Sequence, residues 1–195
     1  MLIRKYRDDD CEGWVRCRVL AFLDTSYYDN VLKEKEKYEN PAIELVAVYD
    51  DKVIGLIDIE YEVKEGTVCS RGKGLGGMIW HIAVHPDFRR QGIGNKLFIE
   101  AENIAKDKGL NRLEAWTRDD DWVNKWYEKN TFSNVDSYLH VFMDGASEMK
   151  GILKSELSDF YPIQVFGHYM GDEKATIRNA FNRVHEFPCY EKKLY

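Results

Sequence analysis

The stretch Ile82-Ala83-Val84-His85-Pro86-Asp87-Phe88-Arg89-Arg90-Gln91-Gly92-Ile93-Gly94-Asn95 decides how this chain is read. Its apolar start completes a buried strand, Met78 to Val84, and His85-Pro86 turns the chain out of it. A glycine-bearing loop then opens directly into a helix. The first turn of a helix carries backbone N–H groups without intrahelical partners, and the helix dipole adds positive character there. Glycines at 92 and 94 clear side chains from a place where a ligand must approach the backbone, and Arg89 and Arg90 add fixed charge. These parts together describe a cradle for a pyrophosphate.

Working outward, Gln91 to Lys108 has one apolar face (Ile93, Leu97, Phe98, Ala101, Ile104, Ala105), with Gly109 placed to cap its end. Arg112 to Arg118 reads as a strand, Asp121 to Lys129 as a helix and Tyr138 to Met143 as a strand. Upstream, Leu2 to Arg7 is a short strand that ends in Asp8-Asp9-Asp10, and Trp14, Val15, Val19, Phe22 and Leu23 recur at helical spacing. The charged run Thr25 to Glu39 predicts a second helix that stops before Pro41. Glu44–Tyr49 and Val53–Val63 predict two strands joined at Asp50-Asp51-Lys52, with Asp58, Glu60 and Glu62 on a polar face. Phe187 to Leu194 closes the chain as a last strand. Alternating strands and helices predict a mixed α/β (α+β) sheet with helices on both faces.

Composition bounds the function. At 195 residues, 44% hydrophobic and 32% charged, the chain suits a globular domain with one sizeable core. A net charge of −6 disfavours a nucleic-acid binder, which would carry a basic face. Cys11, Cys17, Cys69 and Cys189 are scattered without a C-x-x-C pair, so neither a disulfide framework nor a zinc site is expected. His81 and His85 straddle a strand end and a proline, and no metal is expected. Without a leader pattern or a membrane-length apolar run, a reducing cytoplasm is the expected location.

Two other phosphate motifs fail. G-x-x-x-x-G-K-[ST] is absent, and the G-x-G-x-x-G string Gly72 to Gly77 precedes a strand where the dinucleotide fold needs a helix. The stretch Arg89-Arg90-Gln91-Gly92-Ile93-Gly94 after Ile82-Ala83-Val84 instead resembles the [QR]-x-x-G-x-[GA] signature of the GCN5-related N-acetyltransferase (GNAT) family. Trp126-Tyr127-Glu128-Lys129-Asn130-Thr131-Phe132 is similar to a later element of that family, and Ile3 to Asp10 to its opening strand and helix start. The resemblance covers roughly residues 1–143 and the last strand. It implies a mostly antiparallel sheet of six to seven strands, splayed between the fourth and fifth, in a single domain over 1–195.

The same resemblance implies acetyl-CoA as cosubstrate. Its pantetheine arm would lie along Ile82, Ala83 and Val84. Its pyrophosphate would lie on the loop and helix start formed by Arg89, Arg90, Gln91, Gly92, Ile93, Gly94 and Asn95. A backbone N–H near Val84 would polarise the thioester carbonyl. Tyr127 aligns with a tyrosine that donates a proton to the departing thiolate, a useful service because a free thiol has a pKa of ~8.5. Asp119-Asp120-Asp121 stands where relatives often place an Asn, and reads better as a helix N-cap. The base that takes the amine proton is open between Glu114, beside the expected splay, and Glu60 or Asp58 on the neighbouring strand. His81 reads as a hydrogen-bonded core histidine turned away from the substrate.

The segment from 145 to 183 is unexplained by the resemblance. Met149, Ile152, Leu153 and Leu157 suggest one helix, and Ile177, Ala180, Phe181 and Val184 another, around an aromatic loop from Phe160 to Tyr169. This insert either lines an acceptor pocket or covers a sheet edge and builds a homodimer contact. The function reading is transfer of acetyl to a primary amine of a small molecule. The alternatives are a protein N-terminus or lysine as acceptor, and a non-catalytic acetyl-CoA sensor. An acidic face at Asp58, Glu60 and Glu62, bordering the pocket, would favour a cationic amine.

Overall fold

The computed structural model describes residues 1–195. Strand β1 (Leu2–Lys5) pairs antiparallel with β2 (Ala42–Tyr49), which turns through Asp50 and Asp51 into β3 (Lys52–Tyr61). Both turn residues have positive φ, 47° and 57°, the geometry of a two-residue hairpin that matches strand twist. Strand β4 (Gly76–Val84) pairs antiparallel with β3 and parallel with β5 (Arg112–Trp116). The sheet continues through β8 (Arg183–Lys193), β6 (Ser133–Asp144) and β7 (Gln164–Tyr169), in the order β1-β2-β3-β4-β5-β8-β6-β7. It therefore has eight strands, more than the expected six to seven. The extra one, β7, comes from the stretch read as an aromatic loop and adds to the edge of β6.

Helix α1 (Cys11–Leu23) covers one face, where Trp14, Cys17 and Ala21 pack on Val46 and Leu56. On the opposite face lie α2 (Ile93–Asp107) and α3 (Asp121–Lys129), with Leu97, Phe98, Ala101 and Tyr127 against Leu45, Ile57, Ile59 and Leu113. Alternation along each strand sends successive side chains to these two layers. The insert holds only short helices, α4 (Gly145–Met149) and α5 (Lys174–Ala180), on either side of β7.

No helix forms over Thr25–Glu39, contrary to the sequence expectation. Charged residues that a helix would turn to water are drawn inward instead. Lys35 Nζ reaches Asp58 at 2.9 Å and Glu44 at 2.5 Å, and the Tyr38 hydroxyl donates to Asp58 at 2.9 Å. Arg18 holds Asn30 through its carbonyl and side-chain oxygen, at 2.9 and 2.8 Å. These bonds outweigh the weak helix propensity of a short charged run.

The polar face of β3 is likewise buried. Asp58, Glu60 and Glu62 are all enclosed and each takes specific donors, Asp58 through Oδ2 alone. Glu60 accepts from the Asn40 N–H and side chain (2.8 and 3.0 Å) and from Trp80 Nε1 (2.8 Å). Glu62 collects the backbone N–H groups of Gly66, Val68, Cys69 and Gly76. The acidic stripe is thus a set of internal anchors for two loops.

Candidate active site

Strands β4 and β5 are paired only over Gly76–Met78 and Arg112–Glu114. Beyond that they part, which is the splay expected between the fourth and fifth strands. The gap opens into a cleft of about 1330 Å³. That exceeds the ~300–1,000 Å³ of a typical small-ligand pocket and leaves room for two reactants side by side.

One end of the cleft is the cradle. Ile82, Ala83, Val84, Arg89, Arg90, Gly92, Ile93, Gly94 and Asn95 line it, while Gln91 is exposed and lies outside the wall. Gly92 precedes α2 with φ of 74°, and a Cβ added there would meet no protein atom within 4 Å. The space beside it is therefore open to a ligand, and the N–H groups at the start of α2 border it. Arg90 is exposed with φ of 60°. Arg89 is committed inward, to Asp24 (2.7 Å), the Ala21 carbonyl (2.7 Å) and the Val84 carbonyl (3.3 Å), tying the end of α1 to β4. The Asn95 side-chain oxygen accepts from Trp126 Nε1 at 2.7 Å and so locks α2 to α3.

Tyr127, on α3, also lines the cleft. Its ring stacks on Tyr190 at 5.2 Å and 12° and is only 4% exposed. The hydroxyl has no protein partner, yet it is not among the sealed unpartnered atoms. Burial pushes its pKa above the ordinary tyrosine value, so it is a protonated donor at neutral pH. The triple Asp does not cap α3 through a side chain. Asp120 sits at the cap position, but its carboxylate accepts from the Ser26 N–H and hydroxyl, and Asp119 binds His185 and the Glu186 N–H.

Neither Glu114 nor Glu60 reaches the cleft. Glu114 is 0% exposed, and its two oxygens take five donors: Ser70 N–H and hydroxyl, Arg71 N–H, Arg112 and Trp116 Nε1. A carboxylate so fully used anchors the loop before β4. The carboxylates that do line the cleft are Glu36 and Asp120, and Asp120 is taken by Ser26. Glu36 lies in the segment 25–39, with its side chain 46% exposed and hydrogen-bonded to His81. That bond, helped by the charge of Arg18, outweighs the upward push of burial and leaves its pKa below the usual glutamate value.

His81 is buried and hydrogen-bonded, as expected, but it faces the cleft. It shares a strand face with Ala83, against Trp14 and Phe22 of α1, and the bulge just before it (Asp58 opposite His81, Ile59 opposite Ile79) leaves Trp80 extra and puts Ile79 in the other layer. Arg18 Nε donates to His81 Nδ1 at 3.3 Å, which puts the ring proton on Nε2 toward Glu36. Nothing in the sequence pattern singled out Glu36 from its charged neighbours.

The far wall is aromatic and comes from the end of β5 and from β6, β7 and β8. Within it, His140 accepts from Arg118 Nε at 3.2 Å. Burial, then the Arg118 charge, pushes the His140 pKa down to about 3. The unfolded chain, with an ordinary histidine pKa of ~6.5, takes up this proton first as pH falls. His140 therefore contributes fully above about pH 6.5 and loses that contribution as pH falls toward about 3. Lowering the pH from 7 to 5 is expected to cost about 2 kcal/mol through this group. Melting curves of His140→Gln should lack that slope; an unchanged slope would assign the acid sensitivity to other groups.

A splayed sheet with a glycine-opened helix beside the gap defines the class: a fold that holds a pyrophosphate-bearing cosubstrate against a parted strand. The comparisons agree. The model of the acetyltransferase (GNAT) family matches residues 5–132. An acetyltransferase of Pectobacterium atrosepticum is 30% identical over 141 residues, which span 70% of this chain and 90% of that protein. Among solved structures, a GNAT-family acetyltransferase of Streptococcus pneumoniae superposes with TM-score 0.61 at 16% identity, covering 98% of each chain. The PaiA N-acetyltransferase of Thermoplasma acidophilum, solved with coenzyme A, gives TM-score 0.53 at 18% identity over 69% of this chain and 91% of that one. At these identities the two structures show likeness of fold.

This chain belongs to the GNAT family. It is by class an acetyl-CoA-dependent N-acetyltransferase. No helix is long and apolar enough to cross a membrane. The family match ends at residue 132, so the aromatic wall on β6, β7 and β8 lies beyond it.

Proposed function

We propose that this protein transfers the acetyl group of acetyl-CoA to the primary amine of a small molecule, directly, with both reactants bound at once in the cytoplasm. The observation that carries this reading is the continuity of one cleft, from the cradle at Gly92–Asn95 past Val84 to the aromatic wall. Acetyl-CoA supplies the activated thioester. Its pyrophosphate fits the open space at Gly92 and the free N–H groups of α2, with Arg90 beside them. Backbone groups of β4 beyond Met78 have no β5 partner and can pair with an extended amide-bearing arm. No cysteine lines the cleft, and burial pushes Cys17, Cys69 and Cys189 up to about 12, which argues against an acetyl-cysteine intermediate.

In this reading Glu36, held by His81, attracts the ammonium and receives its proton, directly or through water. The amine nitrogen then bonds to the carbonyl carbon, the carbon–sulfur bond breaks, and the second nitrogen proton leaves through water to solvent as the amide forms. Tyr127 donates its hydroxyl proton toward the departing sulfur and is reprotonated from solvent. Tyr127→Phe should lower kcat by about 100-fold with coenzyme affinity unchanged. Equal turnover would return Tyr127 to packing on Tyr190. Glu36→Gln should lower kcat/KM for the amine about tenfold or more and flatten its pH dependence. A wild-type pH profile in that variant would move the base elsewhere. The direct test of the proposal is thiol release from acetyl-CoA across a panel of amines. Release only with peptides would replace the small-molecule acceptor by a protein one.

A further inference from the structure

The aromatic wall has a built geometry. Trp116 ends β5, Tyr138 and His140 alternate on β6, Phe166 and His168 lie on β7, and Phe187 on β8. The register sets Tyr138 opposite Phe187, and His140 opposite His168, so these side chains share one sheet face. Trp116 stacks on Phe187 at 5.6 Å and 19°, and His140 on His168 at 4.7 Å and 4°. Tyr138 bridges the two pairs, at 5.2 Å from Trp116 and 4.8 Å from His168. All six line the cleft, and Phe166 is 48% exposed at its edge. Exposed ring surface inside a cleft is surface that a ligand can cover.

Charge decides what kind of ligand. An aromatic wall can hold either a cation over its π faces or another ring. Here cations already stand on the protein side: the Arg118 guanidinium lies 4.9 Å from the Phe142 ring and 6.0 Å from Phe166, and Arg183 lies 3.8 Å over Phe142. The two guanidinium groups already share one carboxylate, Asp29 (3.9 Å from Arg118 and 2.6 Å from Arg183), so a further cation here meets two positive charges and no free anion between them. The half-exposed carboxylate of the cleft, Glu36, is on the opposite wall, held by His81.

We infer that the acceptor is a primary amine carried on a short arm by a neutral aromatic or heteroaromatic ring. The ring stacks on the wall built by β6, β7 and β8, and the ammonium points to Glu36 and β4. This inference deepens the transferase reading and rests on it for the chemistry, but the ring site is testable by binding alone. It also gives the insert a role: β7 supplies two of the six wall residues.

The experiment is calorimetric titration of the coenzyme A-loaded protein with 2-phenylethylamine, an indole-ethylamine, spermidine and an N-terminal peptide. Thiol release from acetyl-CoA is followed in parallel. The ring amines should bind roughly 100-fold more tightly than spermidine, because stacking and ring burial add to amine binding. Phe166→Leu, which keeps an apolar residue on an edge strand, should cut ring-amine affinity about tenfold. Coenzyme affinity should be untouched. Ring amines that bind in this way without thiol release would support the inference while overturning the transferase reading. Turnover of spermidine or peptide with ring amines binding no better would overturn the inference and leave the transferase reading standing. Ring-amine affinity unchanged in Phe166→Leu would also overturn it.

Discussion

Gly92→Val is expected to weaken coenzyme binding by at least about 100-fold, the largest functional effect of any single change in the cradle. Gly92 has φ of 74°, and its missing Cβ would project into space that holds no protein atom within 4 Å. The fold therefore suffers no clash, only backbone strain of about 1–3 kcal/mol for a branched residue in the left-handed region. The ligand meets the new methyl groups. Gly94→Ala separates the two effects. Gly94 lies in α2, and a Cβ there would meet Val84 Cγ2 at 3.6 Å and Trp126 Nε1 at 3.9 Å, ordinary contacts. Alanine should hold or raise the melting temperature of the free protein, by up to about 1 kcal/mol of helix propensity. It should still lose about tenfold in coenzyme affinity, because its methyl narrows the approach to the backbone. Equilibrium titration with coenzyme A checks both. Wild-type affinity in the two variants together would mean that the pyrophosphate lies elsewhere in the cleft.

Glu62→Ala is expected to cost about 4 kcal/mol of stability, or about 10 °C in melting temperature for a chain of this size. Its carboxylate holds the Gly66 and Gly76 N–H groups at 2.8 Å, Cys69 at 3.0 Å and Val68 at 3.3 Å, with Arg112 at 3.8 Å. Burial works to raise its pKa, but the N–H groups of Gly76, Cys69, Val68 and Gly66 hold it below the ordinary glutamate value. Removing the carboxylate strands four donors and leaves the buried Arg112 with one anion fewer. The anchored loop carries Val68, Ser70 and Arg71 into the cleft, so the amine KM should rise while coenzyme affinity holds. Denaturant unfolding measures the stability. A loss below about 1 kcal/mol would show that the loop holds itself without this anchor. By the same sign, acidification through the depressed Glu62 pKa removes this contribution, which is full above the ordinary glutamate range.

Local sequence determined the parts of this protein whose physics is local. The strand, turn and helix from Met78 to Asp107 follow from an apolar run, a His-Pro turn, two glycines and one amphipathic face. The hairpin at Asp50-Asp51 follows from two residues that tolerate positive φ. The strand, loop and helix junction was therefore legible, and with it the family. What tertiary structure decided is where buried polar groups find partners. Alternation showed that Asp58, Glu60 and Glu62 share a face, but not that Lys35, Asn40 and the loop from Gly66 to Gly76 would enclose it. Those same partnerships drew 25–39 away from a helix and set Glu36 on the cleft wall, while Glu114 was spent on Ser70 and Arg71. His81 borders the cleft because β5 leaves β4 after Met78, which no period of two can show. The aromatic wall needed four strands side by side, with Trp116 of β5 stacked on Phe187 of β8 across 71 positions of sequence. Hydrophobic periodicity reports only which face a residue shares with its near neighbours, whereas a buried charge or a stacked ring is settled by whichever distant group satisfies it.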